Sequence, residues 1–329
     1  MLDLAIGGGD RAGIPEGRIM EIYGPESQGK TTLTLLMVAA RQKEEEQKAA
    51  EDPSYEEKVC IFLDAEHALD TRLAQEYGVN LDKLIYIDPD TAEAAMDIVA
   101  AYVDTGLVAL VITDSVPSLL PSSIAQSSNE QMHIGTNARL MSSLMQRMVG
   151  PCYKNGTTMI FINQVREAIG KYSPTGIAET TPGGRALKFY SSVRLSVRRG
   201  DIIKHNGDQT GHVMRIRVVK NKIGTPYKEA TISLMYGHGI DKVDEIFQIA
   251  LKADIIHQGG AWFTLLDKET GEILSFGDDE FRAQGRDNMI SLIRKHPEAY
   301  QYLEDKLRGV VVEADDMEEE EVSQAELEV

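Results

Sequence analysis

The sequence predicts an α/β protein: a mostly parallel, twisted sheet flanked by helices, with a small α/β domain at the C-terminal end. Three runs carry the sheet: Val59–Leu63, Leu107–Ile112 and Thr158–Ile162 are apolar almost throughout, as strands buried on both faces read. Each leaves polar residues just past its end, Asp64, Thr113–Asp114 and Asn163–Gln164, where open α/β sheets bind ligands. A further observation sets the start. Arg18–Tyr23 alternates like a strand, Gly24–Thr31 reads GPESQGKT, and Thr31–Ala40 has the apolar density of a buried helix.

That glycine loop fits G-x-x-x-x-G-K-[ST]. Strand, loop and helix is the context in which backbone N–H groups and a helix N-terminus wrap phosphates. It predicts a nucleoside triphosphate site, with Lys30 reaching the β- and γ-phosphates and the Thr31 hydroxyl ligating Mg²⁺. Further on, Ser192–Arg198 and Met214–Lys220 alternate apolar and polar, the pattern of half-exposed antiparallel strands extending the sheet. After Tyr236–Ile240 the character changes. Asp241–Ala253 predicts a helix, Ala261–Phe276 a small hairpin and Arg286–Leu307 another helix. The expected division is a core over 1–240, a small C-terminal domain over 241–309 and a disordered acidic tail over 310–329, where apolar content is too low to pack.

Hydrophobic residues make up 42% of the 329 and charged residues 26%, the proportions of an ordinary globular chain. No window approaches the ~20 apolar residues of a membrane span, and the N-terminus lacks the basic start and apolar core of a secretion signal. A cytoplasmic location without a membrane partner is therefore expected. Cys60 and Cys152 each lie near a strand and read as reduced core thiols rather than a disulfide or metal site. The net charge of −18 argues against a nucleic-acid partner, but its distribution weakens the argument. Glu313–Val329 holds nine acidic and no basic residues, and without it the charge is −9. A second acidic run, Glu44–Glu57, reads as part of a surface insertion over Gln42–Lys58. Local basic stretches can still meet phosphates, because charge at physiological salt acts over only ~8 Å.

Asp114 ends an apolar strand ahead of Ser115, which suits a carboxylate holding Mg²⁺ through a water opposite Thr31. The plainer alternative is a strand-end Asp capping a turn. Glu66, one strand over, is the candidate for activating water, although an acid that starts a helix is common on its own.

Five segments then form a pattern: Gly24–Thr32, Asp64–Asp70, Phe161–Arg166, Gly183–Tyr190 and Val218–Ile223. Together, in that order and collinear from Leu2 to about Arg308, they resemble the bacterial RecA recombinase family. The phosphate loop alone is shared by many ATPases; the ordered set is specific. The resemblance implies a RecA-type core and an ATP-dependent protein of homologous recombination, DNA repair and the SOS response, with ATP and Mg²⁺ as cofactors. Such a protein assembles as a filament on single-stranded DNA, pairs it with homologous double-stranded DNA and exchanges strands, hydrolysing ATP when DNA is bound.

By position, the resemblance implies that Gly24, Pro25, Glu26, Ser27, Gln28, Gly29, Lys30, Thr31 and Thr32 hold the phosphates. Asp70 and Tyr236 lie beside the adenine, and Glu66 activates the attacking water. Gln164 senses the γ-phosphate and couples it to the loop that follows. Lys220 and Lys222 reach across a subunit interface to a neighbour's ATP. On the residues alone, two lysines two apart on a strand also describe a solvated face. DNA is expected on two loops, about 127–135 leading to Arg139, and 166–184 with Arg166, Ile169, Gly183, Gly184 and Arg185. Ile169 wedges between bases and the two glycines lie against phosphates. Flexible basic loops suit sequence-neutral binding that weakens as salt rises. On the residues alone the second stretch also reads as a mobile surface loop, too long for an ordinary connection.

The chain departs from the pattern in places. Gln28 replaces a serine, Leu73 stands where a tyrosine packs on adenine, and Ala168 stands where a lysine is usual. The 42–58 insertion is absent from typical members. The family's N-terminal helix and strand are missing, so only short or unstable filaments are expected. One alternative is a non-polymerising RecA-like ATP-binding regulator or partner of a full-length recombinase. A hexameric motor is disfavoured by Lys220, Lys222 and the small C-terminal domain.

Overall fold

The computed structural model describes residues 2–7, 13–125, 134–173, 176–205, 207–267 and 270–307. Positions 127–133 of the first expected DNA loop, and the acidic tail, lie outside the described residues. In chain order the elements begin with α1 (Leu2–Ile6), β1 (Ile19–Gly24), α2 (Lys30–Glu51), β2 (Val59–Asp64), α3 (Thr71–Glu76), β3 (Leu84–Ile87), α4 (Ala92–Asp104) and β4 (Val108–Asp114). There follow α5 (Ser122–Ala125), α6 (Ile134–Asn155), β5 (Thr158–Gln164), β6 (Arg166–Ser173), β7 (Gly176–Thr180), α7 (Ala186–Tyr190), β8 (Val193–His205), β9 (Asp208–Asn221), β10 (Glu229–Met235) and β11 (Gly239–Ile240). The last are α8 (Lys242–Lys252), β12 (Ile256–Gly259), β13 (Trp262–Leu265), β14 (Ser275–Phe276), β15 (Asp279–Glu280), β16 (Arg282–Gln284) and α9 (Arg286–Lys295).

Nine strands form one sheet in the order β11-β10-β9-β8-β1-β5-β4-β2-β3. From β8 to β3 neighbouring strands run parallel, and β9 returns antiparallel to β8. β8 therefore joins the parallel set on one side and opens the antiparallel extension on the other. All seven residues of β4 are buried, which is why that run is apolar without alternation. The core on one face packs Val99, Val103, Val111, Met145, Met159 and Phe161. Register places Gly24 beside Gln164, and Asp64 beside Asp114. Four strands thus deliver polar residues to one edge of the sheet.

The first ten residues of the expected 42–58 surface insertion are helical, and 52–58 form the connection to β2. α2 continues to Glu51, and Glu45 is fully buried. An Arg41 guanidinium nitrogen lies 2.7 Å from the Glu45 carboxylate, and the Tyr55 hydroxyl donates to it at 2.6 Å. Burial and that carboxylate push the Tyr55 hydroxyl up to about 12. Gln42 and Asn80 exchange hydrogen bonds of 2.9 Å, side chain to backbone in both directions. The acidic run hid an amphipathic helix whose inward side is polar and paired. The second expected DNA loop also differs: its described backbone is a hairpin of β6 and β7.

The chain divides into two compact units, one of residues 14–230 and 234–239 and the other of 240 onward with 231–233 and the N-terminal segment. The smaller unit has its own core of Phe247, Phe263, Phe281, Met289, Ile293 and Leu303. Its hairpin joins β12 to β13, earlier than expected, with β16 on the other side of β13. Ser275–Phe276 belongs to a separate ribbon with β15. The expected helix over 286–307 is two helices, broken at His296 before Pro297, whose ring cannot continue a helix but suits a first turn.

Replacing Glu45 with Ala would remove the buried acceptor of the Tyr55 hydroxyl and the Lys58 N–H and one of three carboxylates around Arg41, and should cost about 2–3 kcal/mol. Urea unfolding should show a lower midpoint at unchanged slope. An unaltered midpoint would show that the helical extension contributes nothing to the core.

Candidate functional site

β1 ends where no side chain fits. A Cβ on Gly24 would sit 2.1 Å from the Val197 carbonyl oxygen. The loop then reverses through Ser27 and Gly29, both at positive φ (57° and 86°). A Cβ on Gly29 would lie 2.7 Å from Met214 Sδ, so only glycine combines that backbone with that approach. α2 starts at Lys30 with no side-chain cap, which leaves the N–H end of the helix to face an anion. Lys30 is nearly buried, and its ammonium donates to the Pro25 carbonyl at 2.6 Å. Burial lowers its pKa, opposed by Asp114, Glu66 and Glu26. A cavity of about 220 Å³ opens here, lined by Glu26–Thr32 with Glu66, Asp114, Ile162 and Gln164.

The Thr31 hydroxyl donates to Asp114 Oδ2 at 2.6 Å. Burial pushes the Asp114 carboxyl up to about 6, with Glu66 and Asp64 adding to the rise and Thr31 and Lys30 opposing it. These oxygens suit a hard cation such as Mg²⁺, which takes one or two protein oxygens and completes its shell with phosphates and water. Among the described residues no group of three or more His, Cys, Asp and Glu could hold a metal unaided.

Glu66 sits at the mouth of the same cavity. Ser115 Oγ donates to Glu66 Oε1, and Gln164 Nε2 approaches that oxygen at 3.4 Å. The Asp114 carbonyl accepts from the Ala65 and Glu66 N–H groups at 2.7 and 3.2 Å, pinning the turn that carries the glutamate. Asp64, buried beside Asp114, accepts from the Glu66 and Leu69 N–H groups and the Tyr86 hydroxyl. Sequence reading missed Asp64 and Ser115 as supports. Their signal was their place at the ends of β2 and β4.

Asp70 caps α3, accepting from the Arg72 and Leu73 N–H groups. The Tyr236 hydroxyl lies in a polar cluster with Arg199, Gln209 and His212. Lys220 and Lys222 are not brought to the cavity. Lys220 pairs in register with Arg194, which pairs with Glu21, three residues back along β1 from Gly24. Its ammonium donates to the Lys188 and Phe189 carbonyls at 2.6 and 3.0 Å. Burial lowers its pKa, and Lys222 and Arg194 add to that. Lys222 is exposed beside Phe189 and Tyr190.

Of the expected DNA residues, Arg139 is exposed near the start of α6, and Arg166 and Arg185 are exposed at the two ends of the β6–β7 segment. Ile169 lies on β6. Gly183 and Gly184 both take positive φ, and a Cβ on Gly184 would meet Ala138 Cβ at 2.8 Å, so these glycines let the turn close on α6. Asn163 ties this turn to the sheet. Its amide donates to the Pro182 carbonyl at 3.1 Å and to the buried Glu21 carboxylate at 2.9 Å, which Arg194 also meets at 2.5 Å.

The raised Asp114 pKa has a stability consequence. Between about 4 and 6 the folded carboxyl holds its proton while the unfolded one has lost it, so rising pH should remove up to about 3 kcal/mol. Asp114→Asn should lack this component. Metal-free urea unfolding of both proteins from pH 4 to 7 should show stabilities that diverge as pH rises; parallel curves would contradict the burial of a costly charge.

The comparisons with known proteins agree across both units. The RecA N-terminal domain family matches residues 1–241, and the RecA C-terminal domain family matches residues 244–311. The chain is 42% identical over 308 residues to Protein RecA of Paracoccus denitrificans, covering 94% of this chain and 78% of that protein. It is 41% identical over 307 residues to Protein RecA of Halalkalibacterium halodurans, covering 93% and 80%. It is 42% identical over 297 residues to Protein RecA of Campylobacter jejuni, covering 90% and 78%. With the phosphate loop and Glu66 in one cavity and both family domains matched, the chain belongs to the RecA family.

Proposed function

We propose that this RecA-family recombinase is an ATP-switched, DNA-dependent ATPase in which the cavity at Lys30 binds ATP and the β6–β7 segment binds single-stranded DNA. The observation that supports this best is that Glu66 is held by Ser115 and Gln164 at the mouth of the cavity that Thr31 and Asp114 floor. Lys30 and the amides at the start of α2 bind the phosphates. Glu66, exposed and acceptor-rich, takes a proton from the attacking water. Thr31 and Asp114 would hold Mg²⁺, which supplies neutralising charge at the phosphates.

Gln164 is placed to report what the cavity holds. Its side chain reaches Glu66, and its backbone N–H donates to Asn163 Oδ1 at 3.0 Å. Asn163 in turn holds Pro182, and only Val165 separates β5 from β6. A shift of Gln164 toward a γ-phosphate would move both ends of the DNA segment. Arg139, Arg166 and Arg185 give that surface its positive charge, and Ile169 separates bases. The filament pairs the bound strand with homologous double-stranded DNA, so sequence is read by base pairing.

Lys220 and Lys222 stand away from their own chain's cavity and beside the exposed Phe189. We assign them to a neighbouring subunit's ATP. Asp70 and Tyr236 are assigned to the adenine.

Glu66→Gln should leave ATP and DNA binding intact and slow single-stranded-DNA-dependent hydrolysis by ~10²–10⁴-fold, the usual contribution of a positioned base. Hydrolysis within a few-fold of the parent would remove Glu66 from the chemistry.

Lys220→Ala should lose assembled ATPase activity while each subunit still binds nucleotide. Mixed with Glu66→Gln, it should recover part of the turnover, because some interfaces then pair an intact Glu66 with an intact Lys220. No recovery at any ratio would count against a shared site.

A further inference from the structure

The phosphate loop rests on the antiparallel half of the sheet as well as on its own strand. A Cβ on Gly29 would run into Met214 of β9 and Leu234 of β10, and one on Gly24 into Val197 of β8. Gln28 extends this seat: its Oε1 accepts the Arg199 backbone N–H at 2.5 Å, and its Nε2 donates to the Glu26 carbonyl at 2.9 Å. The glutamine thus straps the loop to β8.

Beside the strap lies a hydroxyl hub. Tyr236 Oη accepts from Gln209 Nε2 at 2.5 Å and from Arg199 at 3.2 Å. With both lone pairs engaged, its own proton is directed to His212 Nδ1 at 3.2 Å. That assigns the tautomer: His212 is neutral, with Nδ1 accepting and the proton on Nε2. The imidazole is almost fully buried. Arg199 joins the two: its backbone N–H meets Gln28, and its guanidinium meets the Tyr236 hydroxyl that also faces His212.

We propose that His212 is a positioning residue for nucleotide binding, holding the Tyr236 hydroxyl and, through it, the Arg199 that meets Gln28 of the phosphate loop. This rests on the assignment of the cavity to ATP made above, and it adds a residue that touches no part of the nucleotide. The phosphate end and the base end of the ligand would be set by one buried ring. Burial and the facing Arg199 cation lower the His212 pKa below its usual 6.5. The neutral form, and the hub with it, is complete at pH 7.5. As pH falls below 6.5 through the folded pKa, a second ring proton turns Nδ1 into a donor facing the Tyr236 proton, and the hub opens. Arg199 is the charged group facing the ring and Tyr236 its titratable neighbour.

The test is the dissociation constant for ATP, read without turnover by displacement of a fluorescent ATP analogue. His212→Ala should weaken binding about 3–10-fold at pH 7.5, the worth of one or two ordinary hydrogen bonds. His212→Asn places an uncharged acceptor where Nδ1 stood and should stay within about twofold of the parent. Taken from pH 7.5 to 5.5, the parent should lose more affinity than His212→Asn. Asp114 titrates in both, so the readout is the difference between them. Parent-like binding by His212→Ala, or equal acid weakening in the parent and His212→Asn, would overturn the proposal. Should the alanine variant fail to fold, the pH comparison with His212→Asn decides alone. Lys30→Ala separates the two levels of argument. Intact binding in that variant would place ATP elsewhere, whereas its loss beside parent-like His212→Ala would remove only the network.

Discussion

Backbone meets backbone at Gly24, and the rest of the site depends on that contact. With a hypothetical Cβ 2.1 Å from the Val197 carbonyl, β1 and β8 are locked at the point where the phosphate loop leaves the sheet. Gly29 repeats the constraint a turn later against Met214 and Leu234. The path of the loop is thereby fixed, and with it the direction of the uncapped end of α2. The register of β1 with β5 and of β2 with β4 then brings Gln164, Asp64 and Asp114 to the same edge. An enzyme that must receive a multiply charged ligand gains from arriving groups that need no rearrangement.

The charges in this edge are in conflict until such a ligand arrives. Burial lowers the Lys30 pKa and raises that of Asp114, so each is held where its charged form is costly. In the proposed ATP complex, phosphates would offset the first cost and a divalent cation the second. Deeper in the sheet the opposite holds: Glu21 is fully buried but is met by both Arg194 and Asn163. That satisfied pair is a rigid base beneath a strained edge. Through Asn163 it also anchors the turn at Pro182, which closes the segment proposed to bind DNA.

Much of this was legible in the sequence. The apolar runs of β2, β4 and β5 have no alternation because both faces are covered, and the polar residues after them lie where topology puts a ligand. The phosphate loop and Glu66 could be placed because strand ends are predictable even when packing is not. What escaped reading depended on contacts between distant segments. Glu45 looked solvated because its partners, Arg41 and Tyr55, are recognisable only once α2 is folded onto the following strand. His212 sits in a polar stretch of β9 whose significance comes from Tyr236, beyond β10 in the chain. The β6–β7 hairpin was hidden by the glycine-, serine- and threonine-rich composition of its stretch, which read equally as a loop. Lys220 on β9 and Lys222 just past it are plain in the sequence, but the use proposed for them lies on another subunit, beyond what periodicity in one chain can show.

The central claim is that ATP occupancy at Lys30 sets the affinity of the β6–β7 surface for single-stranded DNA. The most direct measurement is the binding isotherm of the 329-residue chain on a homopolymeric single strand with a non-hydrolysable ATP analogue and with ADP, at matched salt and magnesium. The account predicts markedly tighter binding with the analogue, and a salt dependence steep enough to mark contacts with the phosphate backbone. Equal affinity with the two nucleotides would contradict it.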